Sequence, residues 1–196
     1  AGITVRVEAR DAYNNLLTGY TQGVVVSDST GTVSEGSAGS GDTVIAFNSG
    51  VYNAGLAASL FITKAQGGIQ LTVTDGGVST SSNVFVVAPA VLNRFTVEAS
   101  GGGNIGGQVA DTAFSIRVVA LDVYGNVLSS GVNNFNGAGN TVGISDSTGT
   151  IAPVVSGAFV NGVLDPQVVQ VTLVHKTVQV TVVDTSAGMG SGTERR

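Results

Sequence analysis

The string "ITVRVEARDAYNNLL" (Ile3–Leu17) returns as "FSIRVVALDVYGNVL" (Phe114–Leu128), displaced by 111 positions. "SDSTGT" occurs at Ser27–Thr32 and again at Ser145–Thr150, displaced by 118. "IQLTVTD" (Ile69–Asp75) returns as "VQVTVVD" (Val178–Asp184), displaced by 109. Three collinear matches mean a duplicated module. The jump from 111 to 118 places a seven-residue insertion in the second copy, near "GVNNFNGAG". Each copy has about 100 residues in which to build a core.

The repeated strings alternate. Ile3, Val5, Val7 and Ala9 are separated by Thr4, Arg6, Glu8 and Arg10, and Phe114, Ile116, Val118 and Ala120 follow the same rule. That period of two belongs to a strand with one wet face. Further strands are expected over Gly23–Ser27, Ala58–Thr63, Ile69–Thr74, Val84–Val87, Phe95–Glu98, Thr141–Ser145, Val168–Val174 and Val178–Val183. β-Branched residues crowd these segments, and Gly, Asn, Asp and Ser punctuate them. No amphipathic helix is expected; "YNAGLAASLF" reads as a loop entering a strand. The chain is therefore all-β, and the strand spacing predicts two tandem immunoglobulin-like β-sandwiches. Their bounds are residues 1–88 and 91–196, joined through Ala88-Pro89-Ala90, where proline ends the preceding strand.

Composition narrows the function. With 42% hydrophobic and 11% charged residues, the chain has the apolar surface for a core. Net charge is −5, and eight scattered Lys and Arg form no basic stripe, which argues against a nucleic-acid partner. No apolar run reaches the ~18 residues of a membrane span. The absence of cysteine excludes disulfides and thiolate chemistry. The Lys-poor, Thr/Ser/Val/Gly-rich composition suggests an exported protein.

"VVALDVYGNVLSSGV", "ISDSTGTIAPVVSGAFVNGVL" and "VQVTVVDTSAGMGSGT" together resemble the bacterial immunoglobulin-like repeats of large secreted and cell-surface proteins, the invasin/intimin-like and filamin-like tandem repeats. The resemblance spans nearly the whole chain and is looser between Glu35 and Asn53. It implies an extracellular sandwich serving as stalk, spacer or adhesive module, with no catalytic residues.

The motifs read as turns. In "DAYNN" (Asp11–Asn15) and "DVYGN" (Asp122–Asn126), Asp and Asn can bond nearby backbone N–H groups while Asn or Gly takes the left-handed conformation. Tyr13 and Tyr124 are expected to lay their rings on the module end. "SDSTGT" combines Asp28 or Asp146 with Gly31 or Gly149 in the same way. No cofactor is expected. The rival is structural calcium on Asp11, Asn15, Asp28 and Asp75, which are hard oxygen ligands but form no dense cluster in sequence. His175, the single histidine, is expected at a solvated strand end, and Lys64 and Lys176 near turns. The insertion offers one candidate interaction loop, Asn133, Asn134, Phe135, Asn136 and Asn140, with Phe135 at its tip.

The copies are cut unevenly. "LNRFTVEA" (Leu92–Ala99) opens copy two without a counterpart in copy one, and copy one closes with "NVFVV" (Asn83–Val87) where copy two has "TERR". Copy one is thus expected to lack its first strand and copy two its last. Either the chain is an excerpt of a longer array, or subunits complete one another head to tail by strand addition. The expected function is a non-enzymatic extracellular part of a stalk, surface layer or filament. Its partners would be copies of itself or neighbouring immunoglobulin-like domains. The alternative is an adhesin contacting surface glycan or protein through end loops.

Overall fold

The computed structural model describes residues 2–37, 41–53 and 59–185. These divide into two compact units, Ala1–Ala88 and Pro89–Arg196. The all-β class holds: apart from one 3-10 turn at Gly131–Asn133, every regular element among the described residues is a strand. No helix among them is long and apolar enough to cross a membrane.

In unit 1, β1 (Arg6–Glu8), β2 (Gly23–Asp28), β3 (Ser34–Glu35), β4 (Thr43–Ala46) and β5 (Val51–Asn53) lead to β6 (Leu60–Phe61). β7 (Gln66–Ile69), β8 (Leu71–Asp75), β9 (Val78–Ser81) and β10 (Phe85–Val87) follow. The main sheet runs β4-β2-β8-β9, with the pairs β1-β5, β3-β6 and β10-β7 beside it. Alternation places Val24 and Val26 of β2 in the core while Val25 stays exposed. Ile45, Leu60, Ile69 and Leu71 join them, with Val5 and Val7 of the β1 segment packed against the cluster.

In unit 2, β11 (Arg94–Ala99), β12 (Phe114–Leu121) and β14 (Val163–Val169) form one antiparallel sheet in the order β11-β12-β14. β13 (Val142–Asp146) pairs with β15 (Val180–Asp184) in a second. Ile116, Val118 and Ala120 from the first and Val142 and Ile144 from the second meet in one core with Phe135 and Phe159.

Three segments depart from the sequence expectation. The run Ile69–Thr74 is two strands, because the chain changes partners at Gln70: β7 pairs with β10, and β8 with β2. Ile69 and Leu71, two residues apart, still reach the same core. The strand expected over Val168–Val174 instead spans Val163–Val169. A turn with positive φ at Asn161 and Gly162 reverses the chain just before it, and Gln170 leaves β12 to pair with Ala152. Of Ala58–Thr63 only Leu60–Phe61 is strand, and Ala58 lies outside the described residues. The end of copy two, including "TERR", also lies outside them.

Glycine is required where the segment before β5 or β14 crosses an earlier turn. A Cβ on Gly162 (φ +78) would stand 2.9 Å from the carbonyl carbon and oxygen of Leu128. One on Gly50 (φ +77) would stand 2.4 Å from the Leu17 oxygen. Gly162→Ala and Gly50→Ala are expected to cost about 2 kcal/mol or more, from strain and the forced shift of backbone. Gly67→Ala, with nothing within 4 Å of its new Cβ, serves as control. Urea unfolding of the three variants checks this.

Candidate functional site

The two "SDSTGT" strings fold into the same hydrogen-bonded turn. Asp28 Oδ1 accepts from the backbone N–H groups of Thr32 (2.6 Å) and Val33 (2.7 Å), and Oδ2 from Thr30 N–H (2.8 Å) and the Thr30 hydroxyl. Asp146 Oδ1 accepts from Thr150 and Ile151 N–H, each at 2.8 Å, and Oδ2 from Thr148 N–H (2.9 Å) and its hydroxyl. Thr32 Oγ1 then accepts from the N–H groups of Thr63 and Lys64, as Thr150 Oγ1 does from Thr172 and Leu173. Each string ties the end of one strand to the approach of another. The carboxylates are occupied in holding backbone.

"DAYNN" and "DVYGN" share a second turn but differ in burial. Asp122 Oδ1 accepts from Tyr124 and Asn126 N–H, both at 2.8 Å, and Oδ2 from the Asn126 amide at 2.8 Å. Asp11 makes the matching bonds to Tyr13 N–H (2.9 Å), Asn15 N–H (2.8 Å) and the Asn15 amide (3.1 Å). Asp122 Oδ2 has a further donor, the N–H of Ala90 at 2.9 Å. Beside it the Asn133 amide donates to the Pro89 carbonyl at 3.0 Å. Asp122 is fully buried, whereas Asp11 is only half-buried. Residues read from sequence as a plain link are thus fastened into unit 2 by Asp122 and Asn133. Proline and alanine carry no chemical mark of that, and only the repeated Asp motif pointed near it.

Burial pushes the Asp122 carboxyl up, but its bonds from Asn126, Ala90 and Tyr124 outweigh that and hold it below 3.8. For Asp28 and Asp146, burial likewise opposes, and the turn's hydroxyl and amide donors prevail. A carboxyl whose folded pKa lies below its unfolded one contributes stability that is complete above the unfolded value and lost as pH falls through the folded value. The urea midpoint is therefore expected to stay level between about pH 7 and 5 and to fall below about pH 4. A midpoint that rises on acidification would contradict it.

The remaining candidates are scattered. Phe135, expected at a loop tip, is 1% exposed and lies in the core, corrected by its ring contacts with Phe95 and Phe159. The Asn140 amide donates to the Asn136 carbonyl at 2.6 Å, and Asn136 Oδ1 accepts from Asn161 N–H at 3.1 Å. The Asn134 amide reaches Asn161 Oδ1 at 3.3 Å. Tyr13 is 87% exposed and Tyr124 49%. Asp75 accepts from the Tyr20 hydroxyl, away from the Asp28 turn. No group of three His, Cys, Asp or Glu placed to hold a metal occurs among the described residues. His175 is exposed, with Nδ1 2.7 Å from the Thr177 carbonyl. It and Lys176 line a groove of about 430 Å³ in unit 2 whose other walls include Ile105, Val109, Phe114 and Val171. No carboxylate lines that groove.

No family model matches the chain, and no curated protein does. Among solved structures, domains 4–9 of the surface layer protein SbsC are similar at 20% identity with a TM-score of 0.29. The match covers 94% of this chain and 28% of that one, so the chain spans less than a third of its length.

Proposed function

We propose that the chain is a non-enzymatic structural part of an extracellular surface layer, stalk or filament, made of two immunoglobulin-like β-sandwiches. In that assembly it joins copies of itself or neighbouring domains of the same kind head to tail. The observation that carries this reading is the clamp of Asp122 and Asn133 on Pro89 and Ala90. It builds the entering chain into the fold of unit 2, as suits a part that transmits load. The matching chemistry of the two "SDSTGT" turns within the chain supports it, since their carboxylates serve folding. Electron microscopy with light scattering on the purified chain at two concentrations tests it. Filaments or sheets are expected, and a dispersed monomer at both concentrations would overturn self-assembly.

The second reading is ligand contact through the loop 131–140, with glycan or protein as ligand. Val132 favours it, standing 99% exposed at the 3-10 turn. Glycan-array binding that is lost in Val132→Ser would select it.

A further inference from the structure

β9 (Val78–Ser81) stands at one edge of the main sheet of unit 1 and pairs, among the described residues, with β8 alone. It lies well inside the chain, joined to β8 through Gly76-Gly77, and all four of its residues are exposed. β11, the strand of the second copy without a counterpart in the first, pairs with β12 and not with β15, the match of β8. A strand of that kind ahead of Ala1 would fall on β1 and leave β9 as it is.

Sheets guard an edge with a charge, a proline or a bulge. β9 carries none of these. Its register with β8 is unbroken from Thr72–Ser81 to Asp75–Val78, and no charged residue stands between Asp75 and Arg94.

The ladder fixes which atoms face the open side. Ser82 N–H donates to the Leu71 carbonyl at 2.9 Å, so that pair is a hydrogen-bonded one, and Thr80–Val73 is the next. Residues between such pairs turn their backbone groups the other way. Ser79 and Ser81 therefore offer N–H and C=O to the open edge.

The outer face beside that edge is free of charge as well. Val24 and Val26 point into the core, which turns Val25 and Ser27 outward. Register then sets Val44, Val25, Thr74 and Ser79 in one row, and Ser27, Thr72 and Ser81 in the next. Thr72 and Ser81 are already joined through their hydroxyls at 3.0 Å.

We propose that β9 is a contact surface for a second copy of this chain, the two β9 strands pairing antiparallel about a two-fold axis at Thr80. Ser79 then faces Ser81 of the second copy and Ser81 faces its Ser79, each pair exchanging both backbone bonds. Thr80 meets its own counterpart, a favourable cross-strand pair. The valine, threonine and serine rows run on from one sheet into the other. Each chain has a net charge of −5, so copies repel over most of their surface. Here no like charges oppose one another, because the antiparallel arrangement sends Asp75 and its counterpart to opposite ends of the joined strands. Four residues a side make a weak contact, one that fills when neighbours are already held close in an array. The geometry belongs to unit 1 alone, and only the biological setting rests on the head-to-tail reading. Head-to-tail contacts lengthen a row, whereas this one joins two rows side by side.

The test is amide exchange by NMR on the purified full chain at low and at millimolar concentration. Exchange at Ser79 and Ser81 should slow by about tenfold or more at the higher concentration, and that of Thr80, already bonded to β8, by much less. Ser79→Pro removes an outward donor without touching β8, so it should abolish the concentration dependence and leave the urea midpoint unchanged. Ser79→Lys/Ser81→Lys protein and Ser79→Glu/Ser81→Glu protein should each sediment as monomers, while their mixture should dimerise more tightly than the natural chain. Exchange at Ser79 and Ser81 that ignores concentration would overturn the proposal. So would association that survives Ser79→Pro, or oppositely charged variants that do not select each other. Filaments whose Ser79 and Ser81 amides still exchange freely would sink this contact alone. A β9-joined dimer that grows no further would sink only the head-to-tail reading.

Discussion

Phe135→Ala is expected to destabilise unit 2 by about 3–5 kcal/mol, the range for truncating a buried aromatic ring. The ring is 1% exposed and contacts Phe159 at 4.8 Å and Phe95 at 5.5 Å. Phe95 is held in register by β12, and Phe159 by a backbone bridge to Gly137, so neither can move in to fill the space. The backbone of Phe135 is itself fixed, its N–H donating to Leu128 and its carbonyl accepting from Gly162 N–H at 2.8 Å. A cavity therefore remains. For a domain of this size each kcal/mol shifts Tm by about 4–8 °C, so a fall of about 12 °C or more should appear in calorimetry. Phe135→Leu, which keeps most of the volume, should lose much less. If alanine cost under about 1 kcal/mol, the side chain would not be the core residue described.

Asp122→Ala is the second large effect, about 3 kcal/mol or more against unit 2. It strips an acceptor from three backbone N–H groups and the Asn126 amide at once, inside a site closed to water. Buried donors left without a partner carry their full desolvation cost. Asp122→Asn, which retains one oxygen, should fall between alanine and the natural residue. Asp11→Ala is the informative comparison: it has the same turn bonds, but water can replace the carboxylate. Its loss should be clearly smaller by urea unfolding. Equal losses would mean that the Ala90 contact and the sealing of Asp122 contribute nothing.

The strands Arg6–Glu8, within the expected run Ile3–Ala9, and Phe114–Leu121 were legible because alternation is a local signal: the apolar residues report the same inward face. The Asp turns were legible for a similar reason. An Asp bonding N–H groups two to five residues ahead needs nothing from the rest of the chain, so identical strings give matching bonds at Asp28 and Asp146. The break at Gln70 was not legible. Ile69 and Leu71 keep a strand's period across it, while the two sides pair with β10 and β2, chosen by residues far away. Phe135 looked like a loop tip because its neighbours are Asn and Gly, which describe the backbone and not where one ring among them points.

Local pattern thus dictated the all-β class, the strand faces and the two kinds of turn, since those depend on contacts within a few residues. Burial depended on cover from elsewhere. Asp11 and Asp122, or Leu17 and Leu128, occupy matching places in matching strings, yet one of each pair is open and the other sealed. The difference is β11 and the Pro89–Ala90 clamp, brought over β12 from an earlier part of the chain. A sequence names the side chains that can be buried; which of them are buried follows from what packs on top.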